Sequence, residues 1–175
     1  RWMREKHDYC PFARYADDAV VHCKTEAQAQ FMLRAIAERM GQCGLELHPE
    51  KSKVVYCRDG DRQRKYPNKQ FTFLGFTFRP RQAKNRYGKK FCSFLPAVSG
   101  EALKRMRRRI KGWNIPRQTP ATLNELAGKY NPILRGWWNY YGRFFKSAMY
   151  RLFDYFDRKL ARWARQKYRT YARHK

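Results

Sequence analysis

The sequence predicts an α+β fold: an antiparallel sheet with a packed helix, followed by an all-α helical region. Residues 12–16, 19–23, 71–78 and 91–95 are short runs rich in aromatic and β-branched side chains, the composition of strands. Around Pro96 the pattern changes to apolar residues at helical spacing. Between the first two runs stand two adjacent acids, Asp17 and Asp18, placed to form the tip of a tight hairpin, since Asp tolerates turn geometry.

The elements follow in order. After the hairpin, Thr25 with Gln28 three residues on has the form of a capping box. Ala29, Leu33, Ile36, Ala37 and Met40 then recur on one helical face, and Gly44 is the natural stop. This helix is expected to pack under the hairpin's sheet. Residues 45–47 and 54–56 read as short extended pieces around a turn at His48-Pro49. Residues 58–69 form a polar insert, expected as a mobile surface loop. Residues 71–78 alternate aromatic and small side chains, a strand with one aromatic face, interrupted at Leu74-Gly75 where a glycine permits a bulge or a close backbone approach. A basic hairpin turning at Asn85-Arg86-Tyr87-Gly88 follows; it could ride on a nucleic acid backbone or be a solvated loop. Ser99 caps a helix bearing Leu103, Met106 and Ile110; Thr119-Pro120 and Asn131-Pro132 each open another, with Pro at the first position. Ser147 starts a long final helix with Met149, Leu152, Phe153, Phe156, Leu160 and Trp163 at core spacing.

Composition narrows the partner. Lys and Arg number 40 against 14 Asp and Glu, a net +26. Such a field favours nucleic acid, with an affinity that falls steeply with salt. Aromatic content of 17% is too high for a disordered basic tail. No run of about 18 apolar residues is present, so neither a membrane-spanning segment nor a signal peptide is visible. The five cysteines, Cys10, Cys23, Cys43, Cys57 and Cys92, have no metal-finger spacing and are odd in number, the pattern of reduced thiols rather than of a disulfide framework or zinc site. The four histidines are scattered and receive no role.

The acid pair carries the chemistry. Adjacent carboxylates repel each other and cost desolvation energy unless something cationic holds them. Their oxygens are hard ligands suited to Mg²⁺, which uses one or two carboxylates plus substrate phosphates. Asp-Asp alone reads as an ordinary surface turn. Tyr15-Ala16-Asp17-Asp18 between two apolar strands is more specific, arising by chance in roughly one chain in a thousand of this length.

The run Arg14-Tyr15-Ala16-Asp17-Asp18 resembles the catalytic hairpin of reverse transcriptases, in the form typical of group II intron-encoded proteins. Three further segments match in the required order. Gly44-Leu45-Glu46-Leu47-His48-Pro49-Glu50-Lys51-Ser52-Lys53 resembles the next palm block, residues 71–78 the primer-grip block, and Asn131-Pro132-Ile133-Leu134-Arg135-Gly136-Trp137-Trp138-Asn139-Tyr140-Tyr141 the maturase thumb, or domain X. The thumb motif discriminates most, because retroviral enzymes would not share it.

The resemblance implies a partial palm over residues 1–96 and a helical thumb over 97–175. It implies an RNA-directed DNA polymerase of a group II intron that also binds intron RNA to assist splicing. Its partners would be intron RNA, an RNA template with a DNA primer, and dNTPs, without a membrane. Two Mg²⁺ ions are implied, with Asp17 the main bridging ligand and Asp18 its less direct neighbour. Tyr15 and Ala16 would line the active site, Ala16 leaving room for the primer terminus or nucleotide and Tyr15 packing beneath the hairpin. Lys51 stands where the family places a lysine near the nucleotide phosphates, although Lys53 is close and either could be simply solvated. Leu74 and Gly75 would approach the primer strand. A third metal-binding aspartate and the fingers are expected before Arg1, so the 175-residue chain by itself is expected to be inactive as a polymerase.

For RNA, the basic cluster Arg105, Arg107, Arg108, Arg109 and Lys111, with Arg135 in the thumb motif, is the favoured backbone-contact surface; a solvated basic face is the alternative. On one helix, neighbours two apart face different ways, so Arg135, Trp137 and Trp138 cannot all be core. Trp137 or Trp138 reads as thumb core, with a helix-end charge as the alternative to the RNA role of Arg135. A second class of function stays open: a non-catalytic RNA-binding maturase module, from which the intact acid pair is the discriminating feature. A bacterial cytoplasm is the expected location, with an organelle as the alternative.

Overall fold

In the computed structural model, residues 1–62 and 64–168 are described; Gln63 of the expected loop and residues 169–175 of the expected thumb lie outside them. The chain divides into two compact units, Arg1–Cys57 with Arg64–Lys69, and Arg58–Gln63 with Gln70–Lys175. The architecture is mixed helix and antiparallel sheet, as expected. Among the described residues, no helix is long and apolar enough to cross a membrane.

The first unit opens with a one-turn helix, α1 (Trp2–Lys6), then a two-stranded hairpin of β1 (Phe12–Tyr15) and β2 (Asp18–Val21). Helix α2 (Glu26–Gln42) follows. Its N-cap, Thr25, accepts the Gln28 N–H at 3.1 Å. The Gln28 carboxamide reaches back to the N–H of Lys24 at 2.6 Å, one residue outside the expected box. Of the expected apolar stripe, Ala29, Leu33, Ile36 and Met40 are half-buried and Ala37 is exposed. The one fully buried residue of the helix is Met32, outside the stripe, and Phe31 meets the His7 ring edge-on at 6.1 Å. Gly44, at φ +70°, follows the helix end as expected. Residues 45–47 and 54–56 join no ladder. The second piece is tied sideways instead: Tyr56 N–H donates to Asn68 O at 2.9 Å, and the Asn68 amide donates to Val54 O at 3.2 Å.

The second unit begins with a three-stranded sheet in the order β3 (Phe71–Phe73), β4 (Phe76–Lys84), β5 (Lys90–Val98). The single bulged strand expected over 71–78 is a hairpin. Leu74 and Gly75 both take positive φ, +50° and +77°, the signature of a type I′ turn, and Phe73 pairs with Phe76 across it. The chain therefore reverses at Gly75. Strand β5 continues through Pro96 to Val98, two residues past the expected change of pattern; it is an edge strand, where a missing N–H is tolerated.

Among the described residues three α-helices follow in this unit: α3 (Gly100–Gly112), α4 (Leu123–Tyr141) and α5 (Ser147–Lys167). Ser99 caps α3, its hydroxyl accepting the Ala102 N–H at 3.1 Å. Between α3 and α4 lies a single 3-10 turn, Ile115–Arg117. The two helices expected at Pro120 and Pro132 are one. Helix α4 starts after Thr122, and Pro132 lies inside it. An interior Pro forfeits the bond to the carbonyl four residues back, here Gly128. The helix persists because Leu126, Tyr130, Leu134 and Tyr141 bury one continuous face on both sides of the proline.

The core joins sheet to helices. Phe76 and Val98 pack with Ala102, Met106 and Ile110 of α3, Tyr141 of α4, and Met149 and Leu152 of α5. A second cluster gathers Ile115, Leu126, Tyr130 and Trp163. Strands 71–98 thus share a hydrophobic core with the helices that follow them.

Candidate active-site hairpin and nucleic-acid face

The acid pair sits one residue off the expected tip. The ladder pairs Tyr15 with Asp18, so the two-residue loop is Ala16-Asp17 and Asp18 is the first residue of β2. Ala16 adopts φ +51°, a left-handed conformation that costs a non-glycine residue roughly 1–2 kcal/mol. Of the two loop residues, only Ala16 has positive φ. The Arg14 guanidinium donates to the Ala16 carbonyl at 2.8 Å and braces the turn from behind. At the hairpin's base, His22 N–H donates to Pro11 O at 2.8 Å. Next to it, burial and the neighbouring Cys10 push the Cys23 thiol up to about 11.

Both carboxylates are exposed, and among the described residues neither has a hydrogen-bond or ion-pair partner. In a chain of net +26, two adjacent exposed acids that no Lys or Arg side chain pairs among the described residues form a hard-oxygen donor set. Among the described residues no group of three or more metal-ligating side chains forms, so the pair would need further oxygens from substrate phosphate or water. The donors fit Mg²⁺ in kind. Tyr15 is 64% exposed on the side of Asp18, not packed beneath the hairpin. Lys51 and Lys53 are exposed, and no hydrogen bond or ion pair among the described residues joins either to the acid pair.

In the second unit, the close approach at Gly75 is to Tyr141. A Cβ at Gly75 would stand 2.9 Å from the Tyr141 hydroxyl and 3.2 Å from its ring. The adjacent Tyr140 hydroxyl donates to the Leu74 carbonyl at 3.0 Å, and the Gly75 carbonyl accepts the Ser99 N–H at 2.8 Å. The turn is thus clamped by the end of α4 and the start of α3. These holding residues escape sequence reasoning because they lie 66 positions from the turn; the only signal was an unassigned Tyr-Tyr at the end of the Trp-rich motif.

The basic face of α3 is displayed opposite its core face. Ala102, Met106 and Ile110 are buried, while Arg105, Arg108, Arg109 and Lys111 are exposed. Arg107 is half-buried, and its Nε is buried without a hydrogen-bond partner. Arg109 lies over the Trp137 ring at 5.9 Å, so one cation of the cluster is already engaged. Arg135 is exposed on α4. Trp137 stacks on Trp113 at 5.8 Å and Trp138 meets Phe153 edge-on at 5.5 Å; both are half-buried against the core.

Comparison with known families decides the assignment. A model described as reverse transcriptase (RNA-dependent DNA polymerase) matches residues 1–78, and one described as group II intron, maturase-specific domain, matches residues 103–175. The chain belongs to the group II intron reverse transcriptase/maturase family. The first match contains the acid hairpin and the Leu74-Gly75 turn, and the second contains the basic face of α3 and all of α4. Residues 79–102 of this reverse transcriptase/maturase, most of the β4–β5 hairpin, lie outside both matched ranges. A comparison with curated proteins finds no match.

Proposed function

We propose that this chain carries the metal-binding carboxylates and the thumb of an RNA-directed DNA polymerase of a group II intron, and that its helical face binds intron RNA in splicing. The observation that carries the polymerase reading is the acid pair at the rim of a two-residue hairpin, exposed and without a cationic partner among the described residues. Bound Mg²⁺ would supply activation of a primer 3′-hydroxyl and neutralisation of the triphosphate and leaving group. Asp17, in the loop, is the main ligand; Asp18, fixed by its pairing with Tyr15, is the second. Ala16 contributes a small side chain beside them, so a primer terminus or nucleotide can come close. The clamped turn at Leu74-Gly75 presents backbone to the primer, and Lys51 offers a cation to nucleotide phosphates.

The test is DNA synthesis on an RNA template by the intact protein. Asp17→Ala should abolish it, because loss of a bridging ligand removes a metal site rather than weakening substrate binding. Residual synthesis within tenfold of wild type would sink the polymerase assignment. RNA binding by Asp17→Ala should stay at the wild-type level, since carboxylates repel phosphate unless metals intervene.

A further inference from the structure

The β4–β5 hairpin is a second cationic surface. From residue 71 to residue 99 the chain carries six Lys and Arg and no Asp or Glu. At its far end, Lys84 pairs directly with Lys90 across the ladder. Like charges placed opposite each other destabilise a strand pair, and no acid within the hairpin is there to offset them. Arg86 and Lys89 stand in the turn just beyond. Four cations gathered at one exposed end, at a cost to the fold, are expected where an anion binds.

The turn is also built to hold its shape. Asn85 N–H donates to Lys89 O, and Gly88 N–H donates back to Asn85 O, both at 3.0 Å. Gly88 takes φ +78°, completing a three-residue loop of type I turn plus left-handed glycine. The Asn85 side-chain oxygen accepts both the Tyr87 and Lys89 N–H groups at 2.9 Å. This frame presents Tyr87 at 77% exposure, with the Arg86 guanidinium 4.7 Å from its ring centre. An exposed aromatic ring backed by a guanidinium, among cations, is the pattern that stacks a base while neighbouring charges hold the backbone.

We propose that the β4–β5 tip is a single-stranded RNA contact, with Tyr87 stacking an unpaired base and Lys84, Arg86, Lys89 and Lys90 holding the flanking phosphates. The inference rests on the nucleic-acid reading of the family but names a surface separate from α3. Single strand is the occupant because a ring at a rigid tip needs an unstacked base, which an A-form duplex does not offer.

The experiment is a binding titration of the intact protein at several salt concentrations, with an unstructured RNA oligomer and a blunt RNA duplex. Three variants are compared with wild type: Tyr87→Ala; a charge variant with Lys84, Arg86, Lys89 and Lys90 changed to Gln; and an α3 variant with Arg105→Gln and Arg108→Gln. Tyr87→Ala should weaken single-strand binding about five- to a hundredfold, leaving the salt slope and duplex binding unchanged. The charge variant should flatten the single-strand log–log slope by about 3, four phosphates at roughly 0.7 each. All substituted side chains of the tip are exposed, so thermal unfolding should match wild type. Wild-type single-strand affinity in both tip variants, with a loss in the α3 variant, overturns the inference and leaves the RNA-binding reading standing. An equal loss on oligomer and duplex for Tyr87→Ala overturns the stacking role. No RNA binding by the wild-type protein at low salt overturns both.

Discussion

Single residues in left-handed backbone mark the two turns that matter most. Ala16 accepts strain at the acid tip, in keeping with the tendency of strained backbone to collect at functional sites. Gly75 is different: its φ of +77° and its contact with Tyr141 both exclude a side chain. Gly88 has a similar φ, +78°, but nothing lies within 4 Å of where its Cβ would stand. The pair therefore separates conformational cost from crowding. Gly88→Ala should destabilise by about 1–2 kcal/mol, the left-handed penalty alone. Gly75→Ala adds overpacking against a buried ring, for a total of about 2–4 kcal/mol. Urea unfolding of both variants checks this; equal losses would mean that Tyr141 swings aside freely.

At the scale of elements, helix α4 shows how local rules combine and conflict. Its start is a full capping box: Glu125 N–H donates to the Thr122 hydroxyl at 3.2 Å, and Thr122 N–H donates to the Glu125 carboxylate at 2.7 Å. Thr122→Ala should cost about 1 kcal/mol. The Thr122 N–H first, and then its hydroxyl, hold the Glu125 carboxyl below its ordinary range. A depressed carboxylate contributes stability that is present at neutral pH and lost as pH falls through its folded-state value. Glu125→Gln, which keeps an acceptor but no charge, should therefore be less stable than wild type at pH 7 and converge with it in acid. Denaturation curves at pH 7 and pH 3 decide; a gap that stays constant means that the charge contributes nothing. The same helix absorbs Pro132, because the apolar face spanning it outweighs one lost hydrogen bond.

Across the whole molecule, charge is unevenly spread. Residues 99–175 carry 20 basic and 4 acidic side chains, a net +16 of the total +26. RNA affinity should therefore reside mainly in the helical half. Changing Arg105, Arg107, Arg108 and Arg109 to Gln should weaken binding to structured RNA and flatten its salt dependence, each lost phosphate contact removing somewhat less than one unit of slope. Arg107 and Arg109 should contribute less than Arg105 and Arg108, since one has its Nε buried and the other lies over Trp137. Filter binding with intron RNA and an unrelated folded RNA provides the measurement. An unchanged slope makes the arginines a solvated face, and equal wild-type affinity for both RNAs removes support for a splicing role.

What the sequence determined by itself was whatever depends on short spacing and composition. The mixed fold class, the helices at 26–42 and 147–167, the cap at Ser99, the turn at Asn85 to Gly88, the cationic character and the family motifs are all local signals. What tertiary structure decided were the cases where a local signal had two outcomes. Leu74-Gly75 could bulge or reverse the chain; the pairing of Phe73 with Phe76 and the clamp from Tyr140 and Tyr141 select reversal. Asn131-Pro132 could open a helix or sit within one; burial on both sides selects the second. The acid pair could straddle a loop symmetrically or stagger across it; the ladder register puts Asp17 in the loop and Asp18 in the strand. Strands 71–98 could belong with the preceding sheet or the following helices; the shared core of Phe76 and Val98 with Met106, Ile110 and Leu152 selects the helices. For the interior proline and the left-handed turn residues the local energies at stake are only about 1–3 kcal/mol, and contacts among residues far apart in sequence outweigh them.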